Sequence, residues 1–590
     1  MRKINFKKYS IYFLSTLMLV SFGCSNYLDV DTDTDSPVVA PLDLLLTGII
    51  YNNVAPLTDF NFWSGDILQV YTHQLTAREE QDQYGAKADN VLVNNDWNNV
   101  YLGLTDIETL ISQASEEGNT IYQGIGQLLK AYVMTTAVDL WGDVPFTEAT
   151  QLTAGIVSPS FDDGESIYAA ALVLLDEGKA NVNSGAGLEP GADDLFYGGD
   201  AAKWTRFANS FKLKLYNQIR LSSLYDQSAV NALITEDNFF KTSADDFQFN
   251  HTINIAPTDE RNQLFQSAYG GVQVTNYISP WFYEILMGMN PNIHTGNPDP
   301  RIPYYWANQL EDGQFPRDQG DAETGDPNAD YWDASTGFFS IRFGSIGPDR
   351  DHAVENDATF PGIFPCGGRY DDNEGFERDI TSGTGVAPKR ILTYDELLYV
   401  QAEMMQVGLI SGDAGDMLED AMTASFKKVD EVVAGTGTTQ TVTVVTLDAN
   451  GDPVLDDDGN EVTTQQPIPV LSGEDEVTDF IDNIIAEYDA AGPAKQLEII
   501  MTQKWVATYA DPMDQYTDYR RTGYPILANP LGASPEYQLD NGDGWPLNDG
   551  LTVQNNLFQT TFFWPQTELD VNQNAPGQKD PTAFKVFWDN

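Results

Sequence analysis

Cysteine is nearly missing: 590 residues contain two, Cys24 and Cys366. Two such residues build no disulfide framework. Cys366 stands among Pro365, Gly367 and Gly368 with no adjacent histidine, which marks it as a buried thiol and not a nucleophile. Histidine is almost as scarce. His73, His251, His294 and His352 show no H-E-x-x-H or other close ligand spacing, so no metal site is expected from them. No G-x-S-x-G elbow and no phosphate-cradling glycine loop occurs, and no cofactor is expected. Basic residues are few, 31 Lys and Arg against 88 Asp and Glu, for a net charge of −57. That surface repels nucleic acid and anionic membrane faces, which excludes a nucleic-acid role. It suits a salty medium, where self-repulsion is screened. The apolar run Ile11–Val20 is too short to span a bilayer.

What is present belongs to a folded, exported protein. The chain is 42% hydrophobic and 12% aromatic, a globular composition. Arg2, Lys3, Lys7 and Lys8 precede the Ile11–Val20 core, and Ser21 and Gly23 precede Cys24, the order of an export signal over 1–23. Cys24 directly after Gly23 points to lipoprotein processing, with diacylglycerol on its thiol. Residues 24–36 then form an acidic tether with Asp29, Asp31, Asp33 and Asp35 in alternation. That spacing starts like a calcium loop but lacks the glycine and the glutamate such a loop needs.

Beyond Pro37 the pattern is mostly α. Ile125, Leu128, Leu129, Tyr132, Val133, Thr136, Ala137 and Leu140 form one broad helical face. The helix stops at Trp141-Gly142-Asp143, and Pro145 forbids its continuation. Further helices are expected over 42–54, 62–75, 96–115, 163–181, 201–221, 394–407, 417–433, 477–490 and 496–509. They group two per unit of about 35 to 60 residues, and Tyr399, Ala402, Gly408 and Ala421 fall at tetratricopeptide-like offsets. Residues 240–389 are rich in Gly, Pro and aromatics with little periodicity, as functional loops often are. Residues 433–472 read as a small β-hairpin insertion: Thr441–Thr446 alternates like a strand, and 448–452 and 456–460 read as tight turns.

The strings Asp139-Leu140-Trp141-Gly142-Asp143-Val144-Pro145-Phe146, Tyr197-Gly198-Gly199-Asp200, Asp299-Pro300-Arg301, Arg390-Ile391-Leu392-Thr393-Tyr394-Asp395-Glu396 with Ala402-Glu403, and Gln503-Lys504-Trp505 before Asp518-Tyr519-Arg520-Arg521-Thr522-Gly523 occur in one order. Together they resemble the SusD/RagB family of outer-membrane nutrient-binding lipoproteins, on the starch-binding-associated branch. The C-terminus departs from the family pattern, with Phe562-Phe563-Trp564-Pro565 where Pro-Arg-Arg is expected. The resemblance implies a single domain over 37–590: a tetratricopeptide-like helical-pair scaffold (37–239 and 390–530), a loop-rich ligand region (240–389) and the insertion (433–472). It implies a cell-surface lipoprotein at the outer membrane that captures oligo- or polysaccharide without chemistry and delivers it to a TonB-dependent SusC-like transporter. Alternatives are a peptide-binding RagB-like uptake lipoprotein, a helical-repeat interaction scaffold and, from another class, a hydrolase.

Glycan capture needs aromatic platforms for the C–H face of a pyranose and polar side chains at the rim for its hydroxyls. The irregular middle offers Trp281, Tyr304-Tyr305-Trp306, and Tyr331-Trp332 with Asp333, of which Trp332 stands in a polar, acidic segment expected to run over the surface. Trp281 follows Ser279-Pro280 and also fits a helix start packed inward. The family resemblance adds Arg78, Gln83 and Tyr84, in a loop that approaches the ligand in relatives. Trp97, Trp141, Trp204 and Trp505 are assigned to packing.

Overall fold

In a computed structural model the described residues are 40–77, 84–271, 276–314, 316, 331–341, 343, 357–448, 451–527 and 556–589. Cys24 and the tether, as well as Arg78 and Gln83, lie outside them.

Several helices begin where a side-chain acceptor precedes an apolar face. Asn90 accepts from the backbone N–H groups of Leu92 and Val93 at 3.0 and 3.3 Å and opens the helix Val91–Glu117. Gly118, at φ 77°, ends it, and Thr120–Trp141 runs back against it. Asp163 caps Gly164–Ser184, Asp200 caps Ala201–Gln218 and Asp413 caps Ala414–Gly435 in the same way. Consecutive helices pack as antiparallel neighbours through Ala201–Gln218. The pattern resumes with Tyr394–Gln406, Ala414–Gly435, Asp475–Ala490 and Pro493–Ala507. This is the mostly α, helical-pair architecture the periodicity implied. The closest crossing is made by glycine: a Cβ on Gly124 would sit 2.6 Å from the carbonyl oxygen of Gly178, so Thr120–Trp141 and Gly164–Ser184 meet backbone to backbone. Gly142 has φ 75°, and a Cβ there would strike the Phe584 ring at 2.4 Å. The stop after Trp141 is therefore also a seat for the C-terminal segment. Among the described residues no helix is long and apolar enough to cross a membrane.

Two expected elements differ. The helix expected over 62–75 is only Gly65–Tyr71. His73 turns to φ 58°, and Leu75–Ala77 leaves as a strand to pair with Asn276–Ile278. The middle region is also less irregular than its composition suggests. Asn262 and Ser279 cap the short helices Gln263–Gly270 and Pro280–Leu286. Phe247–Phe249 and Trp306–Ala307 find strand partners in Lys389–Leu392 and Phe360–Pro361. Those partners lie far along the chain, where local periodicity carries no trace of them.

The insertion is a ribbon: Thr441–Val445 pairs antiparallel with Thr463–Pro467, Val442 opposite Gln466. Its base is pinned. The Asp430 carboxylate accepts from the N–H groups of Leu471 and Ser472 at 2.7 and 2.8 Å, and Tyr304 donates its hydroxyl to the Pro469 carbonyl at 2.7 Å. Beyond the base the strand Thr463–Pro467 is exposed throughout. Replacing residues 441–467 by a short Gly/Ser linker is expected to leave the cooperative melt nearly unchanged, since loop length costs little entropy. A fall of more than ~10 °C, which is several kcal/mol, would show that the ribbon stabilises the scaffold.

Candidate functional site

Ser279 accepts from the Trp281 N–H at 3.2 Å and Pro280 occupies the first turn, so the chain enters the helix Pro280–Leu286 with its aromatic residues committed inward. Twenty residues on, Ile302–Tyr305 and the strand Trp306–Ala307 lie beside it. Against both rests a hairpin, Tyr331–Asp333 with Phe338–Ser340, in which Tyr331 faces Ser340, Trp332 faces Phe339 and Asp333 faces Phe338. Gly337, at φ 72°, closes its turn.

The hairpin is seated by stacking. Tyr283 lies flat on Phe338 with ring centres 3.8 Å apart, while Tyr331 meets Tyr283 edge-on at 5.8 Å and Trp306 closes on Tyr283 and Phe338 at 5.7 and 5.9 Å. Polar tips finish the joint. Tyr283 donates its hydroxyl to the Asp333 carboxylate at 2.8 Å, with Thr336 Oγ1 at 2.7 Å, and Tyr331 donates to Glu284 at 3.2 Å. Burial, with those carboxylates adjacent, raises both phenols far above their ordinary range, so each remains a hydrogen-bond donor.

Strand alternation therefore separates two neighbours. Tyr331 and Asp333 face the helix, and Trp332 takes the other face, above the buried Phe339. Trp332 is half-buried and packs against the core cluster from its edge. The polar loop expected around it is thus a strand. The turn formers at 326–330 dominated the local composition, whereas Phe338-Phe339, which supply the pairing, come five residues later.

The remaining candidates divide. Trp306 is fully buried and supports the hairpin from below, with no face open to a ligand. Trp281 is buried except for one edge, donates its indole N–H to the Ile526 carbonyl at 3.2 Å, and borders a small cavity with Ile285, Asn290, Ile293, Glu498 and Ile526. Tyr84 is a core anchor: its hydroxyl lies 2.8 Å from His73 Nε2 and its ring meets Tyr71 at 5.1 Å and Phe558 at 5.2 Å. Burial pushes the His73 imidazole down to about 3. The ring thus stays neutral, and it shares one hydrogen bond with the Tyr84 hydroxyl. The structure brings Trp306, Tyr331 and Trp332 together, and packs Tyr84 against Phe343, just past the hairpin, with ring centres 5.6 Å apart. Sequence reasoning offered Asp333 beside Tyr331 and Trp332 but missed Tyr283, Glu284 and Phe338 as partners in the joint, although the aromatic run Trp281-Phe282-Tyr283 carried part of that signal.

The strings that carried the family resemblance form a different site, a buried ionic network. Glu403 accepts from Asn217 Nδ2 at 2.7 Å, Arg220 at 2.5 Å and Arg521 Nη2 at 2.9 Å. Arg521 also reaches Asp518 at 2.6 Å, and Lys504 reaches Asp518 at 2.7 Å and Glu396 at 3.5 Å. Arg301, fully buried, is held by Asp299 at 2.6 Å and donates to Gln503 at 3.0 Å. Glu396, Asp511 and Asp514 each bring a carboxylate oxygen within 4.8 Å of the other two. Burial and the neighbouring Asp514 charge push Asp511 upward, whereas Lys214, against Asp514, holds that carboxyl low. Lys214 and Lys504 lie against Glu396, and Lys214 against Asp514, inside the scaffold.

Two family models match the sequence: "Starch-binding associating with outer membrane" over residues 35–445 and "Susd and RagB outer membrane lipoprotein" over 381–538. No curated protein matches it significantly. Similar solved structures include a SusD homologue from Bacteroides fragilis, at 17% identity and a TM-score of 0.60, covering 93% of this chain and 100% of that one. A chitin-binding SusD homologue from Flavobacterium johnsoniae matches at 17% identity and a TM-score of 0.60, covering 93% and 98%. A third structure, described as a chitin-binding protein, matches at 20% identity and a TM-score of 0.62, covering 93% and 99%. These likenesses establish the fold.

Proposed function

The chain belongs to the SusD/RagB family of outer-membrane lipoproteins, and from that premise we propose that it captures an oligo- or polysaccharide at the cell surface and delivers it to a TonB-dependent SusC-like transporter. The family is one of binding proteins, and the reading involves no catalysis. One observation carries the choice of site: Trp332 sits half-buried on a hairpin whose other face is fixed by the Tyr283–Phe338 stack. A rigid indole of this kind takes the C–H face of a sugar ring at little entropic cost. Trp306 supports that platform, and Trp281 with its cavity offers a second contact edge. Arg78 and Gln83 belong to the proposed site by family resemblance.

Two structural neighbours are described as chitin-binding, which makes chitin oligosaccharides the first ligands to test, beside starch-type and β-linked glucans. Calorimetric titration of the mature chain is expected to give saturable binding to at least one of these glycans and none to peptides of equal length. Peptide binding alone would favour the RagB-like alternative.

Anchoring is proposed at Cys24, with residues 24–36 as tether and 37–590 as one domain. Cys24→Ala should move the protein from the membrane fraction to the soluble one. A Cys24→Ala protein that stays with membranes after a high-salt wash rules the anchor out.

A further inference from the structure

The ribbon departs from the rest of the molecule in a way that glycan binding does not use. Strands that form a sheet edge are normally protected by charge, most often lysine, or by proline. Here the strand residues 441–446 and 462–467 contain no charged side chain, in a chain that is 20% charged, and Pro467 alone blunts one end. Among the described residues Thr441–Val445 and Thr463–Pro467 form a sheet of two strands only. Val444, Leu447 and Leu455 are 42%, 57% and 58% exposed. A lone two-stranded ribbon is marginal in water, yet this one is built carefully. The Gln440 side-chain amide clamps Tyr370, accepting from its N–H at 3.0 Å and donating to its carbonyl at 2.8 Å. Beyond the strands, Asp448 N donates to the Asp452 carbonyl and Asp456 N to the Asn460 carbonyl, both at 2.8 Å, so the end folds into two tight turns.

All the charge of the ribbon is gathered at that end. Asp448, Asp452, Asp456, Asp457, Asp458 and Glu461 are six acids, and no Lys, Arg or His lies between Thr441 and Pro467. We propose that the ribbon is a docking element that adds its free edge to an exposed β-strand of a protein partner with basic residues at the strand's end. Main-chain hydrogen bonds would give the affinity and the acidic turns the choice of partner. A second copy does not fit: it would bring another acidic end and another chain of charge −57 to the contact. The same acids thus protect the bare edge from self-pairing. Because the base is pinned to Tyr304 and Tyr370, a docked partner would be held rigidly against the segment that leads into Trp306. The inference stands apart from the identity of the ligand.

The test uses the mature chain and two synthetic strand peptides, alternating Val and Thr, one flanked by lysines and its twin by glutamates. The lysine peptide is expected to bind at least ten-fold more tightly and to protect the amides of Thr463 and Gln465, which alternate with the inward-paired Thr464 and Gln466, from hydrogen exchange. Gln465→Pro should abolish that protection. The triple change Asp456→Asn, Asp457→Asn, Asp458→Asn should weaken binding at least five-fold, with the melt unchanged in both variants. If the lysine peptide binds wild type and Gln465→Pro equally, or protects no ribbon amide, the attraction is general to an acidic surface and the proposal is overturned.

Discussion

Glu403→Ala is expected to destabilise the protein by about 3–5 kcal/mol, the cost of breaking a buried pair from one side. Glu403 is fully buried and accepts from two guanidiniums and an amide. Without it Arg220 loses its carboxylate and Arg521 keeps only Asp518. The penalty is one of desolvated cations, not of lost packing. Glu403→Gln, which keeps the shape and one acceptor, should therefore recover only part of it. At roughly 2 °C for each kcal/mol in a chain of this size, the melt should fall by about 6–10 °C. The drop should be little affected by moderate salt, because buried pairs are poorly screened. A melt within 2 °C of wild type would mean that this network is not needed for the fold.

Trp332→Ala should act on the ligand instead. Removing the platform is expected to weaken glycan binding by about 1–3 kcal/mol, the range for covering a large apolar side chain, or roughly five- to 150-fold in Kd. Because Trp332 is half-buried against the core, some stability goes with it, though less than the ~3–5 kcal/mol of a fully buried tryptophan. Trp306→Ala supplies the contrast. That ring is buried throughout, so its loss should take the full core penalty and weaken binding only as the hairpin loosens. Calorimetric titration paired with thermal melts separates the two. Affinity unchanged in Trp332→Ala, beside a clear loss of stability, would make Trp332 a hairpin anchor and shift the site toward the Trp281 edge.

The helices could be read from the chain because their determinants are local. The apolar face from Ile125 to Leu140, the stop at Gly142 and acceptors such as Asp163 and Asp200 lie within a few residues of what they control. The ribbon was legible for the same reason: strand, turn and returning strand are consecutive. At the site the reading reached the right segments but not the roles of their residues. Trp306 and Trp332 look alike in sequence. One is sealed beneath Tyr283 and Phe338 while the other is half-buried on the hairpin's opposite face, a difference set by the hairpin's register against a helix some fifty residues earlier.

By itself, then, the sequence determined the helical scaffold, the inserted ribbon and the family, the last through strings whose side chains turn out to meet in the interior. That meeting was decided by tertiary structure alone. Glu403 and Arg521 are 118 residues apart, Arg301 and Gln503 202, and Lys214 and Asp514 300. Periodicity reports which face of a helix is apolar over three or four residues. It carries no term for a charge whose counter-charge arrives on another helix, and burial of an ion is tolerable only once that partner is in place.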